Sequence, residues 1–161
     1  MLYNHFADKE ELLATALRAH VVTVEQDLGA LPDPGVETVE ANLRAYLAHG
    51  LALHRAVLPA FVGLIGQPDV LARFGELDEH GENWRDRLTG YLRGEQELSR
   101  IAAEARVGAA AAMLVGVCHE VVLAALFTPP GTPAEPPATE DVITVVLHGI
   151  EPRRSHLALE T

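Results

Sequence analysis

The sequence is poor in several residue types at once: 161 residues include one cysteine, one tryptophan and one lysine, and aromatic side chains make up 5%. The single cysteine, Cys118, excludes an intramolecular disulfide and any CxxC metal pair. Positive charge is scarce. Against 23 Asp and Glu stand 12 Lys and Arg, a formal net charge of −11, and an acidic chain makes a poor non-specific partner for nucleic acid because phosphate affinity comes from clustered cations. No basic stretch runs into an apolar segment at the amino terminus, so a secretory signal is not expected and a reducing cytoplasm is. Sustained period-two alternation and fixed-period repeats are also missing, which leaves no sequence support for strands or a solenoid.

What is present is apolar and helical. Hydrophobic residues make up 48% of the chain, and a chain of this length buries roughly 70% of its unfolded surface, so one soluble domain with a real core is expected. Asp8 and Glu11 form a capping-box pattern, after which Leu13, Leu17, Val21, Val24, Leu28 and Leu31 recur at spacings of three and four, predicting a helix over 8–31. Pro32-Asp33-Pro34-Gly35 stops it. A second stripe runs from Val36 to His54, followed by a short apolar piece from Val57 to Ile65. Pro68 then opens a helix whose shared face carries Leu71, Phe74, Leu77, Trp84, Leu88 and Tyr91. Gly94 to Ser99 reads as a polar break, and Ile101 to Phe127 as the most apolar helix. Five of the ten prolines lie between Thr128 and Thr139, a surface connection; Thr139 is the expected N-cap of a last helix ending near Pro152. The expected fold class is an all-α helical bundle.

The first residues begin in mid-pattern. In Leu2-Tyr3-Asn4-His5-Phe6-Ala7-Asp8-Lys9-Glu10-Glu11-Leu12-Leu13, two aromatics and a histidine crowd one turn directly before a helix start. This run resembles the signature that closes the DNA-binding domain of TetR/AcrR-type transcriptional regulators and opens the helix after it. The resemblance implies that residues 1–7 are the remnant of a helix-turn-helix domain and that 8–161 form the C-terminal effector-binding and dimerisation domain, with 8–31 as connecting helix. It also implies that Tyr3, His5 and Lys9 lie against the DNA backbone. Lys9 has independent support: a cation in the first helical turn opposes the macrodipole unless it joins the helix N-terminus in holding a phosphate. The alternative is an ion pair with Asp8 or a nearby glutamate on a solvated face.

A helix-turn-helix reader needs two helices plus support, so roughly 30 to 40 residues are expected ahead of Met1. Residues 1–31 hold two basic and five acidic side chains, too little positive charge for an electrostatic footprint. Operator DNA is therefore expected as a partner of a full-length protein only. The expected origin is a start placed at an internal methionine or a trimmed chain, with natural loss of the reader as the alternative.

The helix from Val107 onward is apolar on all sides and approaches the minimum length of about 17 to 20 residues for a membrane span. His119 and Glu120 near its middle argue for protein instead, since a charge there costs about 2.5 kcal/mol or more in lipid. Gly108, Ala112 and Gly116 repeat at a spacing of four and admit a close helix neighbour. With Met113, Leu123, Val142, Val146 and Gly149 they are the expected interface of a homodimer, a four-helix arrangement about a twofold axis that the resembled family also uses.

Candidate chemistry is thin. His119-Glu120 lacks the second histidine of HExxH, since position 123 is leucine, so no metal is expected and His119 is assigned to a pocket or interface. No GxSxG, P-loop or dinucleotide turn occurs, and Cys118 sits in an apolar helix that raises its pKa. No enzymatic activity and no cofactor are expected. A pocket between helices for an unknown small-molecule effector is expected along Phe61, Leu64, Trp84, Leu88, Tyr91, Cys118, His119 and Val122, and the acidic balance favours a neutral or cationic ligand. The function these readings imply is effector sensing in a TetR-like regulator that releases its operator when a ligand binds. The alternatives are a helical ligand-binding or protein-interaction bundle without DNA function and, after it, a small helical enzyme.

Overall fold

The computed structural model describes residues 9–77, 83–129, 131–132 and 136–149. Among them are six helices and no strand: α1 (Lys9–Leu28), α2 (Val39–Gly63), α3 (Pro68–Leu77), α4 (Trp84–Glu97), α5 (Val107–Phe127) and α6 (Thr139–His148). The all-α bundle expected from the sequence is what the chain forms.

Local chemistry sets most boundaries. Glu10 and Glu11 complement the macrodipole at the start of α1, and Gly29, at φ +77°, ends it before Leu31, which the periodicity had placed inside the helix. The Thr38 side chain caps α2 by accepting from the Ala41 N–H at 3.0 Å. This helix then runs through Pro59, joining the two apolar pieces that the sequence had separated. A proline inside a helix removes one backbone bond at a cost of about 3 kcal/mol. Burial of Leu53 and Val57 just before it offsets that loss.

Three further boundaries differ from expectation. The apolar face spanning Leu71 to Tyr91 belongs to two helices, because the Asn83 side chain accepts from the Asp86 N–H at 3.0 Å and starts α4 afresh. The most apolar helix starts at Val107, well after Ile101. Ser99 adopts φ +59°, the Arg100 N–H turns back to the Glu95 carbonyl at 2.9 Å, and the Gln96 amide donates to the carbonyls of Ala102 and Ala103, each at 2.8 Å. These bonds satisfy groups that a helix through 101–106 would otherwise pair. Thr139 is the first residue of α6; Ala138 occupies the N-cap without a side-chain bond, while Glu140 and Asp141 sit favourably in the first turn. Gly149, at φ +69°, closes α6 through its N–H to the Val145 carbonyl at 2.8 Å.

The core is built by α2, α4, α5 and α6, where Leu43, Leu47, Leu88, Leu114, Cys118 and Ile143 are fully enclosed. Tyr46 stacks on Tyr91 at 4.6 Å, and the Tyr91 hydroxyl donates to Glu95 Oε1 at 2.8 Å. Glu95 is completely buried; the Gly35 N–H reaches the same oxygen at 3.3 Å, and Arg100 Nη1 lies 3.3 Å from Oε2 while its Nη2 donates to the Glu37 carbonyl. This polar node fastens the 33–37 turn to the end of α4. Helix α1 packs along α3 and α2. It buries only Ala14 and Leu17, and it is tied by Glu11 to Arg73 of α3 at 3.2 Å and by His20 Nε2 to the Ala56 carbonyl of α2 at 3.0 Å.

Candidate functional site: a cavity between α1 and the core

Gly50 in α2 is the foundation of the site. A β-carbon there would lie within 2.7 Å of Trp84 Cε2 and Cη2, so only glycine lets the indole lie flat against the helix. Trp84 is thereby 3% exposed, with its Nε1 buried and without a hydrogen-bond partner. One turn later in α2, His54 Nδ1 donates to the Gly50 carbonyl at 2.6 Å. A carbonyl only accepts, so the ring proton sits on Nδ1, and Nε2 is the acceptor in the neutral imidazole. Burial pushes the His54 pKa below its ordinary 6.5, and the neighbouring His119 adds to the shift, while the bond to Gly50 opposes it. The ring is neutral at physiological pH.

The rings of three helices converge beside this turn. His54 meets Trp84 edge to face at 5.4 Å and 80°, and His119 of α5 at 4.8 Å and 62°; farther along, Phe61 of α2 meets Phe74 of α3 at 5.0 Å and 89°. Between these groups lies a cavity of about 420 Å³. Leu53, Val57, Leu58 and Val115 supply apolar wall, Val21 and Glu25 of α1 form one side, and Asn83 and Arg85 flank Trp84. Five helices share it, and α1 is one of them.

Of the residues expected along a pocket, Phe61, Trp84 and His119 do line this cavity. Leu88, Tyr91 and Cys118 do not: Leu88 and Tyr91 continue the α4 face of Trp84 into the core with Leu43 and Leu47, and Cys118 lies on the buried stripe of α5. Burial pushes the Cys118 thiol up to about 12. Val122 borders a separate depression of about 480 Å³ with Arg55, Pro59 and Glu120. Leu64 caps the end of α2, its N–H bonded to the carbonyls of Ala60 and Phe61, away from both depressions. His54, Phe74, Val21 and Glu25 belong to the cavity and escaped the sequence reading. The signal for His54 was a lone histidine closing an apolar stripe four residues after a mid-helix glycine.

The other assigned positions fall as follows. Tyr3 and His5 lie outside the described residues. Lys9 is the exposed first residue of α1. Along α5 only Ala111, Leu114, Cys118 and Val122 are buried, a single narrow stripe. Gly108, Ala112 and Gly116 are exposed, Met113 is 54% and Phe127 78% exposed, and Leu123 is half-buried. On α6, Val142 and Val146 are half-buried and Gly149 is exposed. By length and composition α5, with a mean hydropathy of 2.1, is long and apolar enough to cross a membrane. In this fold it packs on α2, α4 and α6. Among the described residues no group of three or more His, Cys, Asp or Glu side chains is placed to hold a metal ion.

No family model matches the chain, and comparison with curated proteins and with solved structures finds none that it matches.

Proposed function

We propose that this chain is the effector-sensing and dimerising part of a TetR-like transcriptional regulator, which binds operator DNA when its reader helices precede Leu2 and releases it when a small molecule enters the cavity. The observation that carries this reading is the participation of α1 in the cavity wall through Val21 and Glu25. The Tyr3-Asn4-His5-Phe6 run leads directly into that helix. A ligand that fits one tilt of α1 better than another shifts the population between tilts by the difference in its affinities. The exposed apolar side of α5, with Met113 and the small residues around it, serves as the dimer face with α6, and Tyr3, His5 and Lys9 serve as phosphate contacts in the full-length protein. No catalytic role is assigned, and the assembly works in the cytoplasm without a membrane.

The test is expression of the gene with its upstream reading frame, followed by selection from a pool of random-sequence duplexes. Recovery of an inverted repeat supports the reading; failure to retain any duplex selectively contradicts it. A ligand-binding or protein-interaction bundle without DNA function is the second reading, favoured by the acidic excess of residues 1–31.

A further inference from the structure

The cavity walls specify a ligand class as well as a place, and this step rests on the reading of the cavity as an effector site. We propose that the cavity binds a neutral, planar aromatic molecule carrying a hydroxyl group, which donates to His54. Planarity comes from the rings. Phe61, Phe74, Trp84 and the imidazoles of His54 and His119 all border the cavity, and aromatic rings pair favourably with an aromatic ligand in offset or edge-to-face geometry. Size agrees: about 420 Å³ lies within the range of roughly 300 to 1,000 Å³ typical of small-molecule sites.

Neutrality follows from the wall charges. Glu25 and Arg85 are its one acidic and one basic side chain, and their formal charges cancel. The remaining wall is mainly apolar, and His54 is held uncharged by burial, so an ionic ligand loses hydration without a net opposite charge in return. The hydroxyl follows from one polar atom of the wall. His54 Nε2 is an acceptor, because Nδ1 already donates to Gly50. An aryl hydroxyl is a compact donor to an imidazole nitrogen and is uncharged near neutral pH.

The experiment is isothermal titration calorimetry of the purified chain at pH 7.5 with 2-naphthol and with 2-methoxynaphthalene, which keeps the acceptor oxygen and loses the donor. The expected result is one 2-naphthol per chain, with the methyl ether about tenfold weaker from the lost hydrogen bond. In His54→Phe the two compounds bind equally, at the level of the ether. In Val115→Trp, which fills the cavity, neither binds. Equal binding of both compounds to the unaltered chain, binding untouched by both substitutions, or no binding of 2-naphthol at all overturns the proposal. Amide exchange along α1, recorded with and without 2-naphthol, separates the two readings. Cavity binding that leaves α1 protection unchanged supports this ligand assignment and removes the sensing function; a compound of another class that alters α1 while 2-naphthol does not bind does the reverse.

Discussion

The Gly50 carbonyl accepts the Nδ1 proton of His54 at 2.6 Å, and the missing side chain of the same glycine is what admits the Trp84 ring against α2. One residue thus sets both the tautomer of the histidine and the seat of the tryptophan. Gly50→Ala is expected to destabilise the chain. Alanine improves helix propensity by about 1 kcal/mol, but its β-carbon overlaps a rigid buried indole, and overpacking of this kind typically costs 1–3 kcal/mol or more. Urea denaturation followed by Trp84 fluorescence reports both effects: a lower midpoint and a red-shifted native emission are expected, and an unchanged midpoint with unchanged emission contradicts the packing described.

Glu95 gives the second prediction. Its carboxylate is fully buried between Tyr91, the Gly35 N–H and Arg100. Burial and the bond to Glu95 together push the Tyr91 phenol well above its ordinary value of 10, so it stays protonated and donating. Glu95→Gln keeps an acceptor for Tyr91 but removes the charge facing Arg100, and is expected to cost about 1–3 kcal/mol. Glu95→Leu orphans all three partners and is expected to cost more than Glu95→Gln. Equal midpoints for the two variants and the unaltered chain in denaturant titration contradict the node.

Acid should weaken the fold before its carboxylates titrate. Burial holds both His49 and His54 below their ordinary 6.5, with the Arg87 charge adding to the shift at His49. Between 6.5 and the lower folded values the unfolded chain binds more protons than the folded one, so stability is complete above 6.5 and falls as pH drops through that window. Urea midpoints at pH 7.5 and 5.0 check this. The midpoint is lower at pH 5.0, and His54→Gln shrinks the difference; a pH-independent midpoint contradicts the burial of these rings.

Cys118 should be silent as a nucleophile. Its thiol is fully enclosed in α5, and burial pushes it up to about 12. Labelling with a thiol reagent at pH 8 is expected to proceed only at the rate of unfolding and to become immediate in denaturant. Immediate labelling of the native chain contradicts its place in the core.

The open side of α5 gives the last of these. Met113 is more than half exposed in the single chain, so Met113→Glu costs a monomer little and places a charge in a dimer interface. Sedimentation velocity at micromolar concentration should show a dimer for the unaltered chain and a monomer for the variant. A monomeric unaltered chain, or a variant that stays dimeric, contradicts the proposed face.

How far the sequence led depended on the range of the physics involved. The existence of the helices rests on apolar spacing over a few turns and was legible, whereas the stop at Gly29 falls inside the stretch whose spacing predicts helix, and the Thr38 cap went unread. The division of the Leu71–Tyr91 face was not, because Asn83 caps α4 through a bond that periodicity cannot register. The late start of α5 depends on Gln96 reaching carbonyls six and seven residues ahead. For the cavity, Trp84 and His119 stood out as polar rings on apolar faces, whereas Leu88 and Tyr91 shared the same stripe and lie in the core. Which part of a stripe faces a cavity is decided by what packs across from it, and Val21 and Glu25 come from a helix far away in the chain.

Coupling between the cavity and α1 is tested most directly by a distance. Glu10→Cys places a reactive thiol on the exposed start of α1, and the buried Cys118 leaves it the single site for a nitroxide label. Double electron–electron resonance then measures the separation of the two α1 starts across the dimer, with and without saturating 2-naphthol. A defined distance that changes on ligand addition agrees with α1 as the moving wall of an effector site; an unchanged distance at saturation contradicts it.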